Sequence, residues 1–168
     1  MPVLIALLKL AAFFLFVGIL LLAGGLIVNR PPLFDPPGPG ARLRIYLTTN
    51  VAETQADSLY PELRQPRYTA PPDLLFDVAQ RAAQHLGWRT DLVDAEQREI
   101  KAVVVTTFWR FRDHVAIRIS PISPSESTLS VRSSSEIGKG DLGANTRHVL
   151  DLLQMIDSIL QAKRMGIG

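Results

Sequence analysis

The first part of the chain is a continuous run of apolar residues. No charged or strongly polar side chain occurs between Ala11 and Val28, and Lys9 is the only charged side chain in residues 1–29. Twelve side chains of the run are Leu, Ile, Phe or Val. At about −0.3 to −0.6 kcal/mol each, they contribute roughly −4 to −7 kcal/mol to membrane insertion. The run predicts a transmembrane helix over residues 1–29, with residues 3–28 in contact with the lipid bilayer.

A cleaved signal peptide is the alternative interpretation of the same stretch. Lys9 would be its basic segment, residues 10–22 its apolar segment, and Ala23-Gly24-Gly25 its small-residue cleavage site. An anchor is favoured because the apolar run continues through Leu26-Ile27-Val28, beyond that site. The chain has no Cys, which excludes lipid attachment to a Cys at this position, disulfides and thiolate metal ligands.

Proline dominates the stretch after the anchor. Residues 30–41 contain five Pro, so they predict an extended, semi-rigid linker rather than a helix or a central strand. We expect a single soluble domain over residues 42–168, which is an ordinary length for one domain. The net charge of +2 is too small to indicate nucleic-acid binding.

Apolar residues at helical spacing predict two helices in this domain. The first begins at Pro71-Pro72 and ends before Gly87. The second runs from about Thr146 to Arg164, with Asn145 as its N-cap. Each helix has one apolar face, formed by Leu75, Val78, Ala79, Ala82 and Leu86 in the first and by Val149, Leu152, Leu153, Ile156 and Leu160 in the second.

Alternating apolar and polar residues predict the strands. Residues 43–47 predict a short strand, because Leu43, Ile45 and Leu47 alternate with polar or amphipathic neighbours. Residues 50–69 are polar and interrupted by Pro, and are interpreted as an irregular surface crossing. Four further strands are predicted at Trp88–Asp94, Glu99–Phe111, His114–Ser120 and Thr128–Ser133, with turns at Ala95–Arg98 and Arg112-Asp113 and with Pro121 and Pro124 ending the third.

The strand pattern is typical of an antiparallel sheet with one buried and one solvent-exposed face. Both amphipathic helices are expected to lie on the buried face. The predicted fold class is therefore α+β, with a mostly antiparallel sheet and two helices packed on one face, preceded by one N-terminal transmembrane helix.

The least ordinary stretch lies between the last predicted strand and the last helix. Residues 138–143, Gly-Lys-Gly-Asp-Leu-Gly, match G-x-G-x-x-G. A dinucleotide fold would also require a second parallel strand after the helix and an acidic residue about 20 positions on. No such strand pattern comes after the helix, so we expect no nucleotide and no other cofactor. The glycines are then expected to form a tight turn into the helix. Alternatively, the N–H groups at the helix start, with Lys139 and Arg132 nearby, would hold a small anion.

The same stretch carries a family resemblance. V-R-S-S-S-E-I-G-K-G-D-L-G-A-N-T-R, preceded by F-W-R-F-R-D-H-V-A-I-R-I, resembles the bacterial domain-of-unknown-function family DUF1499 over about Asn50 to Leu160. Glu136 stands where the family has Arg, which removes a cation from the proposed anion site, and His114 stands where it has a second Asp. The resemblance implies no activity, cofactor or substrate. Its loop motif maps onto Arg132, Ser133, Ser135, Gly138, Asp141, Gly143 and Asn145.

The candidate site residues come from this loop. Ser135, Asp141 and His148 are the residue types of a nucleophilic site, but no spacing connects them. Ser135 and Asp141 are expected to bond to the loop backbone, so we assign no catalytic residue. The three His residues fall on different predicted elements, and no metal site is expected. The set proposed to bind an anion, or else to hold the loop, is Arg132, Ser133, Ser135, Lys139, Asp141 and Asn145.

A second candidate surface is indicated by strand alternation. Arg118 and Arg132 are expected to project from the solvent-exposed face of the sheet, beside Thr128 and Ser130. Such a basic, hydroxyl-rich face predicts a docking surface for an acidic partner or for lipid headgroups. In residues 108–112, Phe-Trp-Arg-Phe-Arg, we expect the rings to pack at the edge of the core; contact with nucleic acid or headgroups is the alternative.

These patterns together indicate an uncharacterised membrane-anchored protein of the bacterial cell envelope. We interpret it as a non-enzymatic binding or structural module that contacts the bilayer and an unidentified protein or anionic ligand, and no nucleic acid. The alternative is a hydrolase-like enzyme or a small-anion-binding domain centred on residues 133–145. A short-tailed apolar first segment usually exports the domain behind it, so we expect a single-pass inner-membrane protein with a periplasmic domain. The cations after the helix, taken literally, favour the cytoplasmic side.

Overall fold

The fold is given by a computed structural model, which describes residues 1–106 and 110–166. A one-turn 3-10 helix lies at Pro61–Leu63. The α-helices are α1 (Pro2–Asn29), α2 (Pro39–Thr48), α3 (Pro72–His85) and α4 (Ala144–Arg164). The strands are β1 (Val51–Glu53), β2 (Arg67–Tyr68), β3 (Arg89–Asp94), β4 (Glu99–Val105), β5 (Arg112–Ser123) and β6 (Glu126–Ser135).

Helix α1 is the predicted apolar segment. It has 28 residues and is therefore about 42 Å long, close to the thickness of a bilayer with its headgroups, about 40–45 Å. It is long and apolar enough to cross a membrane. The described part of the chain leaves its most apolar window unburied.

The strands form one antiparallel sheet, so the predicted fold class is confirmed. Their order is β1-β6-β5-β4-β3, and β2 also pairs with β6. Helices α3 and α4 cover one face, where Val115, Ile117 and Val131 are at most 1% exposed. The buried cluster joins these strand residues to the predicted apolar faces of both helices.

The prediction of a strand at residues 43–47 is wrong, because this segment is part of α2. Three alternating residues are too few to distinguish a strand from a helix. The burial pattern has helical spacing instead: Arg42 and Tyr46, one turn apart, are 0% and 3% exposed, whereas Leu47 is 45% exposed. Pro39, at the first position of α2, is well suited to start a helix.

Three further predictions about the strands are corrected. The stretch 50–69 is not wholly irregular, because it contains β1 and β2, which pair with β6. Strands of three and two residues are too short to show an alternation of apolar and polar side chains. Arg112-Asp113 is no turn; it begins β5. Pro121 lies inside β5, beside a bulge, where a missing N–H is tolerated. The predicted end of the strand Glu99–Phe111 falls partly on residues 107–109, outside the described residues.

Arg42 fixes the proline-rich stretch to the domain. Its guanidinium donates to both carboxylate oxygens of Glu62, at 2.5 and 2.9 Å, and to the Tyr46 hydroxyl at 3.2 Å. It also donates to the carbonyls of Asp35 and Pro36, at 2.9 and 2.6 Å. A buried guanidinium with this many acceptors is well compensated for the loss of water. The segment after α1 is therefore attached at its end rather than suspended in solvent.

We expect Arg42→Met to lower the free energy of unfolding by about 3 kcal/mol, because it leaves the Glu62 carboxylate without its buried partner. Urea unfolding of the full chain in detergent micelles measures this loss. The control is Arg44→Met, an exposed position in the same helix, for which we expect a change within about 0.5 kcal/mol. Equal effects of the two substitutions would contradict the role assigned to Arg42.

Candidate functional site

The start of α4 is built around the buried side chain of Asn145. Its Nδ2 donates to the Asn50 carbonyl at 2.9 Å and to Ser135 Oγ at 2.8 Å. Its Oδ1 accepts a hydrogen bond from Ser133 Oγ at 2.6 Å. The prediction of Asn145 as the N-cap is wrong, because Gly143 is the N-cap and Asn145 is the second helical residue. The amide bonds to β6 and to the residue before β1 instead of to its own helix.

The side-chain carboxylate of Asp141 accepts hydrogen bonds from backbone N–H groups at the start of α4. Its Oδ1 accepts from the Gly143 N–H and its Oδ2 from the Asn145 N–H, both at 2.8 Å. Burial raises the pKa of Asp141, and the two N–H donors oppose that shift. These N–H groups are the ones that would hold an external anion at the helix start. The carboxylate of Asp141 therefore occupies the place in which a bound anion was predicted.

The glycines of the loop allow close backbone contacts. A Cβ on Gly140 would clash with the backbone of Leu47, and one on Gly143 would clash with the Pro31 ring. Gly143 also has φ +81°, a conformation that favours glycine. The Leu142 N–H donates to the Tyr46 carbonyl at 3.0 Å. The G-x-G-x-x-G pattern is thus explained by packing on the chain segment between α1 and β1.

The end of α1 contacts the same loop. Asn29 Nδ2 donates to the carbonyls of Asp141 and Leu142, at 3.2 and 3.1 Å. A Cβ on Gly25, one turn earlier, would clash with the Leu142 side chain. Leu142 has φ +53°, an uncommon backbone conformation for a bulky residue. The loop therefore holds a leucine in an uncommon backbone conformation against the last turns of α1.

A cavity of about 410 Å³ lies between α1 and the loop. Apolar side chains of both form much of its lining, and the polar side chains of Asp113, Ser135 and Asp141 also border it. This volume is within the range usual for small-molecule sites, about 300–1,000 Å³. The residues on the α1 side are Leu20, Leu21, Gly24, Gly25, Val28 and Asn29.

Asp113 is the most unusual residue of this cavity. It is 1% exposed, and its Oδ2 lies 2.9 Å from His148 Nε2. The edge of the Trp88 ring faces the His148 ring, with centroids 6.2 Å apart. In the part of the chain that the structure describes, Oδ1 of Asp113 is buried without a hydrogen-bond partner. An unpaired buried carboxylate oxygen is costly and requires an explanation.

Sequence reasoning missed Asp113 because Arg-Asp before His114 was interpreted as a turn. The alternation of inward and outward residues in the predicted strand His114–Ser120 would have identified Asp113 if it had been continued towards the N-terminus by one residue. Asp113 has the same parity as Val115 and Ile117, which face the helices, and it pairs with Ser135 across β5 and β6. A polar residue in the inward row of a strand is a better candidate than one in a turn.

The six predicted site residues do not form one group. Ser133, Ser135, Asp141 and Asn145 come together at the start of α4. Arg132 is on the opposite face of the sheet, and its guanidinium pairs with Glu53 at 2.6 Å. Lys139 is exposed in the loop.

Ser135, Asp141 and His148 bond to different partners. Ser135 accepts from Asn145, Asp141 accepts from the backbone, and His148 bonds to Asp113. No hydrogen bond joins these three residues to one another within residues 1–106 and 110–166. In the same part of the chain, no three His, Asp or Glu side chains converge as metal ligands would.

The solvent-exposed face of the sheet carries the predicted Arg118 and Arg132, and also Lys101, together with carboxylates. Arg118 and Lys101 both approach Glu99, at 3.4 and 3.5 Å. With Arg132 bonded to Glu53, each of these cations has an acidic neighbour. Phe111 from the predicted aromatic segment borders the cavity, and Phe108 and Trp109 lie outside the described residues.

The domain resembles solved structures that include two aromatase/cyclases. The crystal structure of the di-domain aromatase/cyclase StfQ from the steffimycin biosynthetic pathway has a TM-score of 0.50 at 10% identity, over 61% of this chain and 45% of that chain. The crystal structure of the Zhui aromatase/cyclase from Streptomyces sp. R1128 has a TM-score of 0.48 at 14% identity, over 70% of this chain and 98% of that chain. At such identities the likeness to StfQ describes the fold alone, and this chain spans less than half of the StfQ chain.

The sequence comparisons give a family. No curated protein matches the chain. The family described as "Protein of unknown function (DUF1499)" matches residues 46–156, which include β1 to β6 and the loop before α4. The resemblance found in the loop motif is thereby confirmed, and the chain belongs to the DUF1499 family.

Proposed function

We propose that this protein is a membrane-tethered, non-enzymatic binding module of the bacterial cell envelope, with its domain resting on the bilayer surface. The observation that carries the proposal is the contact between Asn29, at the end of α1, and the carbonyls of Asp141 and Leu142. A helix end bonded to a loop of the domain leaves no free spacer between them.

The length of α1 supports this placement. The hydrocarbon core of a bilayer is about 30 Å thick, whereas α1 is about 42 Å long. Roughly 12 Å of the helix then lies in a headgroup region. If that excess is at the end of α1 near Asn29, the loop and the cavity are at the level of the headgroups.

Exposed apolar side chains at this end of the sheet support it further. Val105, Phe111 and Ile137 are 44%, 42% and 64% exposed, and we call these three residues the apolar rim. Arg110 and Arg112 are exposed beside it. Apolar and aromatic side chains flanked by cations suit the boundary between headgroups and acyl chains.

The hydrogen bonding of the loop favours a binding role over an enzymatic one. A catalytic site presents polar groups to a substrate. Here the Asn145 amide, the Ser133 hydroxyl and the Asp141 carboxylate bond to one another or to the backbone. They serve the start of α4, and a reacting molecule would have to displace them.

We further propose the inner membrane as the location and the periplasm as the side, since a short-tailed apolar first segment usually exports the domain behind it. The face with Arg118 and Arg132 remains the proposed surface for an acidic protein or for headgroups. The exposed ion pairs of these residues each contribute about 0–1 kcal/mol, so a partner carboxylate or phosphate can replace them at little cost.

A spin label at Ile137→Cys tests the membrane placement, because the chain has no native Cys. We expect the label, in the full chain in phosphatidylcholine vesicles, to be more accessible to oxygen than to a water-soluble nickel chelate. The measurement is power-saturation electron paramagnetic resonance. The physical reason is that the side chains of the apolar rim are expected to lie at the boundary between headgroups and acyl chains, where oxygen is more soluble than the chelate.

The matched control is Ile122→Cys, which is also an exposed isoleucine, at 46%, but lies near the other end of β5, roughly 30 Å along the sheet. We expect its label to be more accessible to the nickel chelate. If both labels are equally open to the chelate, the domain does not rest on the bilayer.

Asp141→Asn tests whether the loop carboxylate is structural. The variant offers one acceptor oxygen to two N–H groups, so we expect the free energy of unfolding to fall by about 1–2 kcal/mol. Because burial raises the pKa of Asp141 in the folded chain, proton uptake at this site favours the folded state. The carboxyl's contribution is therefore largest below its unfolded pKa and is lost as pH rises through the folded pKa.

The difference in stability between the natural chain and Asp141→Asn should thus widen from neutral to mildly acidic pH. Urea unfolding at the two pH values measures it, with Asp77→Asn as control, because Asp77 is an exposed carboxylate on α3. A difference that narrows on acidification would show that the folded state prefers the ionised carboxylate, against this expectation.

A further inference from the structure

We propose that the cavity between α1 and the loop is a binding site for a single-chain amphiphile whose polar end is a hydroxyl group. The hydroxyl would donate a hydrogen bond to Oδ1 of Asp113, and the chain would lie against α1. This inference deepens the proposed function and rests on its claim that α1 and the loop meet at the membrane.

The carboxylate of Asp113 supplies the polar end of the site. It borders the cavity, is 1% exposed, and is held through Oδ2 by His148. Its other oxygen has no partner among the residues that the structure describes. A donor from a bound molecule would satisfy this acceptor.

The lining of the cavity supplies the apolar end. Leu20, Leu21 and Val28 line it from α1, and Ile137 and Leu142 from the loop. A volume of about 410 Å³ is within the range of sites that enclose small ligands. Because one wall is a helix that can span a membrane, an amphiphile would reach the site from the lipid phase without crossing water.

The charges around the cavity select the polar group. Asp113 and Asp141 both border it, so an anionic end placed against Asp113 would be repelled, whereas the cations Arg110 and Arg112 lie beside the apolar rim. A hydroxyl carries no charge and provides the donor that Asp113 lacks. We therefore expect a monoacylglycerol to bind and a fatty acid of the same chain length to bind less well.

The test uses the full chain in phosphatidylcholine nanodiscs, with two photoreactive probes that carry the same diazirine-labelled chain. One is a monoacylglycerol and the other a fatty acid. We expect the monoacylglycerol to crosslink to residues 20–28 or 137–142, as located by mass spectrometry, with a yield about tenfold above that of the fatty acid at neutral pH. Both probes are used well below saturation.

Two pairs of variants accompany the probes. Asp113→Val removes the acceptor, and we expect about a tenfold loss of monoacylglycerol labelling, as for a lost hydrogen bond to a charged group. Asp73→Asn, an exposed carboxylate on α3, should keep the labelling of the natural chain. Thermal unfolding of each variant shows whether the domain remains folded.

A second pair is independent of the domain's stability. Gly24 and Gly18 both lie in α1 with open space where a Cβ would be, but of the two only Gly24 lines the cavity. We expect Gly24→Leu to fill the site and abolish labelling of residues 137–142, and Gly18→Leu to leave it unchanged.

Equal labelling of Gly24→Leu and Gly18→Leu would overturn the site, and equal labelling by the two probes would overturn the selection for a hydroxyl. Either result can be compared with the spin-label measurement at Ile137→Cys. If that label is still more accessible to oxygen than to the nickel chelate, the proposed membrane placement holds and the ligand site alone is rejected.

Discussion

The amide of Asn145 is the contact on which the arrangement of this domain depends. It is fully buried and joins the end of β6, the residue before β1 and the start of α4 through three side-chain hydrogen bonds. Without it, the Ser133 hydroxyl would lose its acceptor, and the Asn50 carbonyl would keep only the Ser135 N–H as a donor. A buried polar group without a partner costs about 1–3 kcal/mol. The position of α4 on the sheet is therefore set by polar bonds at one end and by apolar packing along its length.

The loop before α4 connects the start of α4 to helix α1. Asp141 holds the helix start through its carboxylate and accepts a hydrogen bond from Asn29 through its carbonyl. The neighbouring Leu142 adopts a left-handed conformation that costs conformational energy for such a residue. That cost is offset by the bond of its N–H to Tyr46 and by its packing against Gly25. The glycine pattern thus allows the close contact between two parts of the chain.

Most of the fold was predictable because long patterns determine it. The alternation of Val115, Ile117 and Ile119, and the helical spacing in α3 and α4, specify which faces are buried without reference to distant residues. Short segments were not predictable. Leu43 to Leu47 is helical because Arg42 and Tyr46 are buried together beside Glu62, a partner 20 positions away. Asp113 was overlooked because its partner, His148, is 35 positions away and no local pattern connects them.

The inward face of the sheet changes from apolar to polar along its length, and its polar end lies opposite α1. At one end the inward residues are Ile117, Ile119 and Leu129, all within the apolar core. Towards α1 they become Asp113, Ser133 and Ser135. Of these, Asp113 and Ser135 border the cavity, whose opposite wall is the apolar α1. Within the described residues, Oδ1 of Asp113 is buried there without a hydrogen-bond partner. Because α1 forms this wall, the domain by itself does not enclose the cavity, and any molecule bound there would contact both α1 and the domain.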